Sequence, residues 1–249
     1  GVGYRVGAGR GGAMVAVLGF GLAAQATSAG LLSPIARSLW RMEVSLGGAP
    51  ATLPGLLGVG PWWLVAPLAA ILGAWVLRNR ESRFQTGWRW PVAGVALGAV
   101  GLLGWLTSGA TGRGWGLSIT GPSIGLVRLI LSGELGYLNW GTFLIVALPV
   151  GAFLGAWSHG EFALRAPPPG RLLQAFLGGL MMGFGAALAG GCNIGHSFTG
   201  VSVLALSSLT TTAFIIRGVW TAVQLLVLRA KTRAARERRV APAAERVPG

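Results

Sequence analysis

Between Arg171 and Arg217 the chain runs for 45 residues without a charged side chain. A helix needs only about 20 apolar residues to cross a hydrocarbon core about 30 Å thick, so this stretch is too long for one crossing and must be broken. The break falls where residues 188–200 read LAGGCNIGHSFTG. Gly190, Gly191 and Gly195 are poor helix formers that tolerate positive φ, which places the interruption at residues 190–200. Lipid cannot satisfy the peptide groups of irregular backbone. Such a segment is tolerated only where it is buried in protein or lines a watery cavity, so it reads as part of a pore or a binding site.

The rest of the chain fits the same environment. Its 249 residues are 53% hydrophobic and 10% charged, with 43 glycines and 11 tryptophans, a balance that excludes an ordinary soluble domain. The net charge of +14 comes mainly from arginines in short segments between apolar runs. The positive-inside rule accounts for them without invoking nucleic acid. Aspartate is absent, and all six glutamates fall outside the expected spans. That removes the midplane carboxylates of a proton-driven pump and the ligands of a metal hydrolase. No cofactor is expected. A single cysteine forms neither an internal disulfide nor a thiolate metal cage, so it is either a buried apolar residue or a working thiol. The chain begins with Gly1 and shows no signal peptide, and it reads as a fragment.

The expectation is an all-α, polytopic membrane protein with about six transmembrane helices, at residues 12–32, 61–77, 91–107, 142–157, 172–189 and 209–228. Two apolar pieces, 122–131 and 201–207, are too short to cross and are expected as re-entrant half-helices. With the basic tail inside, segments 1–11, 78–90, 158–171 and 229–249 hold fifteen of the twenty basic residues, and both ends lie in the cytoplasm. The chain divides into three parts: 1–113, 114–228 carrying the GGCNIGH segment, and the basic tail 229–249. Gly94 and Gly98, Gly151 and Gly155, and Gly179 and Gly183 offer GxxxG faces for close packing. Trp62, Trp63, Trp105, Trp140 and Trp157 fall near span ends, as an interfacial belt requires.

Cys192 sits in the break with Gly191, Asn193, Gly195 and His196. A thiol is soft, polarisable and a weak hydrogen-bond donor, able to meet sulfur without a charge. Ser197, Thr199 and the half-helix expected after Gly200 favour an anion, although Ser197, Thr199 or Asn193 would look the same as a helix cap and His196 the same as a hydrogen-bonded filler. A second loop, WGLSITGPSIG at 115–125, brings Ser118, Thr120 and Ser123 to the start of the other half-helix, with Pro122 suited to its first turn. Two half-helix N-termini aimed at one point would bind an anion; capping alone would give the same letters. Arg217 stands near the middle of the last span with no carboxylate partner, so it either faces an anion pathway or snorkels along the helix.

The run GGCNIGHSFTG, preceded by GGLMMGFGA at 178–186, resembles the second signature of the YeeE/YedE family of sulfur-compound transporters. The likeness extends through LSITGPS, through GYLNWG at 136–141 and through Glu161 to Arg165. GVGYRVGAG at the start resembles the stretch just after that family's first Gly-Gly-Cys signature. The resemblance implies two inverted repeats in the bacterial inner membrane and passage of thiosulfate or a similar sulfur anion past pore-lining cysteines, of which Cys192 matches the second-repeat one. It also implies a TusA-like sulfur carrier as cytoplasmic partner. On this likeness the chain is N-terminally truncated, and the first-repeat cysteines would lie upstream of Gly1. The competing readings are a membrane sulfurtransferase carrying a persulfide on Cys192 and a structural subunit with no site.

Overall fold

A computed structural model of the chain describes residues 2–42, 51–78 and 90–225. In order, its α-helices are α1 (Val2–Gly7), α2 (Gly11–Ala29), α3 (Ser33–Trp40), α4 (Leu53–Leu57), α5 (Pro61–Arg78), α6 (Trp90–Ala110), α7 (Thr120–Ser132), α8 (Trp140–Ser158), α9 (Pro169–Leu188) and α10 (Leu206–Val223). A π-helix, Ile194–Gly200, lies between α9 and α10. The described residues form no strand beyond two isolated bridges, and the protein is an all-α, polytopic membrane protein.

Among the described residues, four helices are long and apolar enough to cross a membrane: Gly11–Ala29, Pro91–Ala110, Trp140–Ser158 and Pro169–Leu188. The segments expected to make up the full six form α5 and α10, each of 18 residues. The apolar stretch of α5, Pro61–Val76, is shorter than the four spans, and α10 carries Thr210, Thr211, Thr212, Arg217 and Thr221 along its length. Of the cytoplasmic segment expected at 78–90, residues 79–89 lie outside the described residues, as does the whole tail 229–249.

Helices α2 and α9 pack parallel and without intervening side chains. Gly179 abuts the Ala16 carbonyl and Gly183 the Phe20 carbonyl, and a Cβ at either glycine would stand 2.9 Å from the carbonyl carbon. The two pairs advance by four residues in the same direction on both helices, which fixes their common sense. Backbones approach this closely only where one side is glycine. Of the three expected GxxxG faces this one makes contact. At Gly94, Gly98, Gly151 and Gly155 an added Cβ would have no described atom within 4 Å.

Around this pair, the ends are tied by backbone. The amide of Gly11 donates to the Arg165 carbonyl at 3.0 Å and that of Arg165 to Gly9 at 3.1 Å. The Tyr4 hydroxyl donates to the Glu161 carboxylate, joining α1 to the segment after α8. Helix α7 lies against α2, where Arg128 Nε donates to Gln25 Oε1 at 3.2 Å. Of the expected aromatic belt, Trp62, Trp63 and Trp157 are exposed. Trp105 and Trp140 are instead half-buried, the first packed on Trp115 with ring centroids 6.2 Å apart.

Candidate anion site at a broken helix

The break after α9 is made by one residue, Gly190, whose φ of +76° turns the chain out of the helix. Cys192 follows as a free, part-buried thiol. The expected location of the second half-helix is corrected: it is not 201–207, because the chain resumes helical structure at Asn193 and continues as the π-helix to Gly200. Gly195 and Gly200 therefore lie inside helical turns. Gly200 is glycine for close approach, since a Cβ there would stand 2.6 Å from Ser208 Cβ, whereas one on Gly195 would make ordinary contact, 3.6 Å from Ser118 Oγ.

A second reversal occurs at Leu204, whose φ of +51° is left-handed for a branched side chain and strained. Residues 51–53 hold it there: the Leu53 amide donates to the Leu204 carbonyl at 2.9 Å and the Leu206 amide to Ala51 at 3.0 Å. No sequence signal marked this turn, because glycine is the residue that normally announces positive φ.

His196 is buried at the centre of the break. Its Nε2 lies 2.9 Å from the Ala189 carbonyl and its Nδ1 3.0 Å from Ser208 Oγ. A carbonyl only accepts, so Nε2 carries the proton, and in the neutral ring Nδ1 accepts from the Ser208 hydroxyl. Its backbone amide donates to the Cys192 carbonyl at 2.9 Å. The ring also fills the space beside Gly191, where a Cβ would come within 3.1 Å of it. His196 thus ties the end of α9, the turn bearing Cys192 and the start of α10 into one unit, and neither ring nitrogen is left to act as a base toward the thiol.

The loop before α7 packs onto this unit. Thr199 Oγ1 donates to the Leu117 carbonyl at 2.6 Å, and Ser118 is buried beside Gly195. Phe198 and Leu117 fit against Gly101 and Gly104 of α6, at 2.7 and 2.6 Å from where their Cβ atoms would be. The two loops singled out in the sequence therefore meet. Helix α7 has 13 residues, about 20 Å at 1.5 Å per residue. That falls short of a bilayer core and agrees with the expected half-helix at 122–131.

The first turn of α7 carries no side-chain cap on its Ile119 N-cap, so Ser118, Thr120 and Ser123 are not there to cap it. Thr120 is 3% exposed, and its Oγ1 has no hydrogen-bond partner among the described atoms. Buried hydroxyls are almost always satisfied, so an open one at a helix N-terminus leaves a donor and free amides for an acceptor ligand. Asn193 is exposed, and so is Arg217 on α10. Ser197 accepts from Thr212 Oγ1 of the same helix at 3.0 Å, but no described bond connects the Arg217 side chain to Cys192, Ser118 or Thr120. No group of three metal-ligating side chains occurs among the described residues.

Residues 1–221 match the sulphur transport family. The chain belongs to it. Across 241 residues it is 40% identical to the thiosulfate transporter TsuA of Spirochaeta thermophila, covering 92% of this chain and 72% of that protein. It is 38% identical over 151 residues to the thiosulfate transporter TsuA of Escherichia coli, covering 61% of this chain and 43% of that one. Both relatives carry transporter names, as the resemblance in GGCNIGHSFTG implies.

Proposed function

We propose that this protein is a membrane permease for thiosulfate or a related sulfur-containing anion, and that the anion passes Cys192 as a neutral thiol. The observation that carries the reading is the position of Cys192, part-buried in the turn after α9 and tied through His196 and Thr199 to the loop bearing Ser118. Thr120 and the uncapped start of α7 add hydrogen-bond donors and a positive dipole end for the oxyanion part. Cys192 presents a polarisable S–H to the terminal sulfur. Gly191 and Gly195 keep the backbone close to this path, and Asn193 stands at its exposed edge. The names of the two TsuA relatives point to the same substrate.

A persulfide-carrying sulfurtransferase is less well supported, because a cysteine nucleophile needs a base or a cation to form its thiolate and both nitrogens of His196 are already bonded. The inner membrane is the expected location, and a TusA-like carrier is the cytoplasmic partner that co-purification would detect. The reading is tested by alkylation: in membranes containing the full-length protein, thiosulfate should slow maleimide modification of Cys192 by at least about threefold, read by peptide mass spectrometry. Sulfate should protect less, because it lacks the terminal sulfur. Equal modification rates with and without thiosulfate would remove Cys192 from the path.

A further inference from the structure

Arg113 lies between α6 and α7, five residues before Ser118 on the same loop. Its guanidinium sits over the Trp140 ring, 5.4 Å from the centroid. Nη1 is buried and has no hydrogen-bond partner among the described atoms. A guanidinium normally spends its donors on carboxylates, carbonyls or water, and an unpaired buried one is costly. The described glutamates do not serve it: Glu161 is engaged by Tyr4, and Glu134 lies in an exposed turn after α7.

The surroundings of Arg113 are positive as well. Trp140 is the first residue of α8, and its neighbour Gly141 packs on Pro122 in the first turn of α7, with Pro122 Cγ 2.6 Å from where a Cβ would be. The N-termini of α7 and α8 are therefore side by side, and each contributes a partial positive charge. That of α8 is closed by its Asn139 and Thr142 capping box. That of α7 is open, with the unpartnered Thr120 hydroxyl beside it. The loop carrying Arg113 is fixed: the Arg113 amide donates to the Ser108 carbonyl at 3.2 Å, and Ser108 Oγ donates to Trp115 at 2.7 Å.

We propose that Arg113, braced on Trp140 beside the paired starts of α7 and α8, is a docking position that captures the divalent sulfur anion before it moves on toward Ser118 and Cys192. The ligand class is a small dianion with oxygen acceptors, which the planar fork of the guanidinium binds in a bidentate manner. Removal from water holds the Arg113 pKa below the ordinary arginine value, a desolvation cost that a bound dianion offsets. The inference rests on the permease reading and assigns a second residue to it.

The test is initial-rate uptake of radiolabelled thiosulfate by cells producing the full-length protein. Loss of one charge-assisted contact is worth about tenfold in affinity, so Arg113→Gln should raise KM about tenfold with maximal rate and membrane abundance unchanged. Arg113→Lys, which keeps the charge and loses the fork, should fall between. Cys192→Ala in the same cells should instead collapse the maximal rate, so the two assignments fail separately. Unchanged KM in Arg113→Gln overturns the docking role even if Cys192→Ala is inactive. Should Arg113→Gln lower membrane abundance, phenylglyoxal labelling of the unmutated protein decides. Protection of Arg113 by millimolar thiosulfate supports docking, and labelling indifferent to thiosulfate refutes it.

Discussion

Replacing Gly200 by alanine tests whether the π-helix is held against α10 as described. The added Cβ would fall 2.6 Å from Ser208 Cβ and closer still to Ser208 Oγ. Rotating the hydroxyl away does not help, because Ser208 Cβ is fixed to the backbone of α10. One of the two helices must move by about 1 Å, and overpacking of this kind costs about 1–3 kcal/mol. Any such movement also pulls Ser208 from His196 Nδ1, a buried bond worth roughly a further 0.5–1.5 kcal/mol. The sum, about 1.5–4.5 kcal/mol, corresponds to a fall in melting midpoint on the order of 10 °C for a chain of this size. The assay is thermal unfolding of the detergent-solubilised full-length protein, followed by size-exclusion profile. Gly151→Ala serves as control, because an added Cβ there meets no described atom within 4 Å. The double variant Gly200→Ala with Ser208→Gly restores the space and should recover only the overpacking part of the loss, because it also removes the hydroxyl bonded to His196. A Gly200→Ala protein as stable as Gly151→Ala would refute the packing of the break.

Thr199→Val keeps the shape of a fully buried residue but removes the donor to the Leu117 carbonyl; we expect a loss of about 1–3 kcal/mol in unfolding free energy and weakened uptake, and wild-type values in both would deny that the two loops are coupled. Gly183→Ala should destabilise the α2–α9 pair by about 1–3 kcal/mol, whereas Gly98→Ala, with no described neighbour, should be neutral in the same unfolding assay. Arg217 stands exposed on α10; if it faces the anion path, Arg217→Leu should raise the KM for thiosulfate, and an unchanged KM would assign it to snorkelling along the helix.

Charge-free length located the helices, since hydrocarbon thickness sets how many apolar residues a crossing takes. The half-helix at 122–131 was legible for the same reason, and α7 forms there. The second half-helix was displaced because glycine has two uses that a sequence does not distinguish. Gly190 reverses the chain, while Gly200 admits Ser208 against a continuing helix. The second reversal was hidden for the converse reason, because Leu204 takes up a left-handed conformation that residues 51–53 impose from far away in the chain. Cys192, His196, Ser118 and Thr120 were recognisable as polar residues at breaks in apolar runs. That His196 binds backbone and Ser208 while Thr120 is left open depends on three-dimensional partners. In the sequence Arg113 is one arginine among several between apolar runs, and the buried edge that gives it meaning comes from Trp140, 27 positions later.

The most direct measurement of the central claim is thiosulfate uptake by cells producing the full-length protein with Cys192 replaced by alanine or serine, at membrane levels matched to the unmutated protein. Serine retains size and hydrogen bonding without the polarisability of sulfur, and alanine retains neither. A thiol in contact with the passing anion predicts a fall of at least about tenfold in rate, equivalent to roughly 1.4 kcal/mol of barrier, for both variants, with alanine no less severe. Uptake by Cys192→Ala at the unmutated rate would show that the thiol is packing and that the anion takes another route.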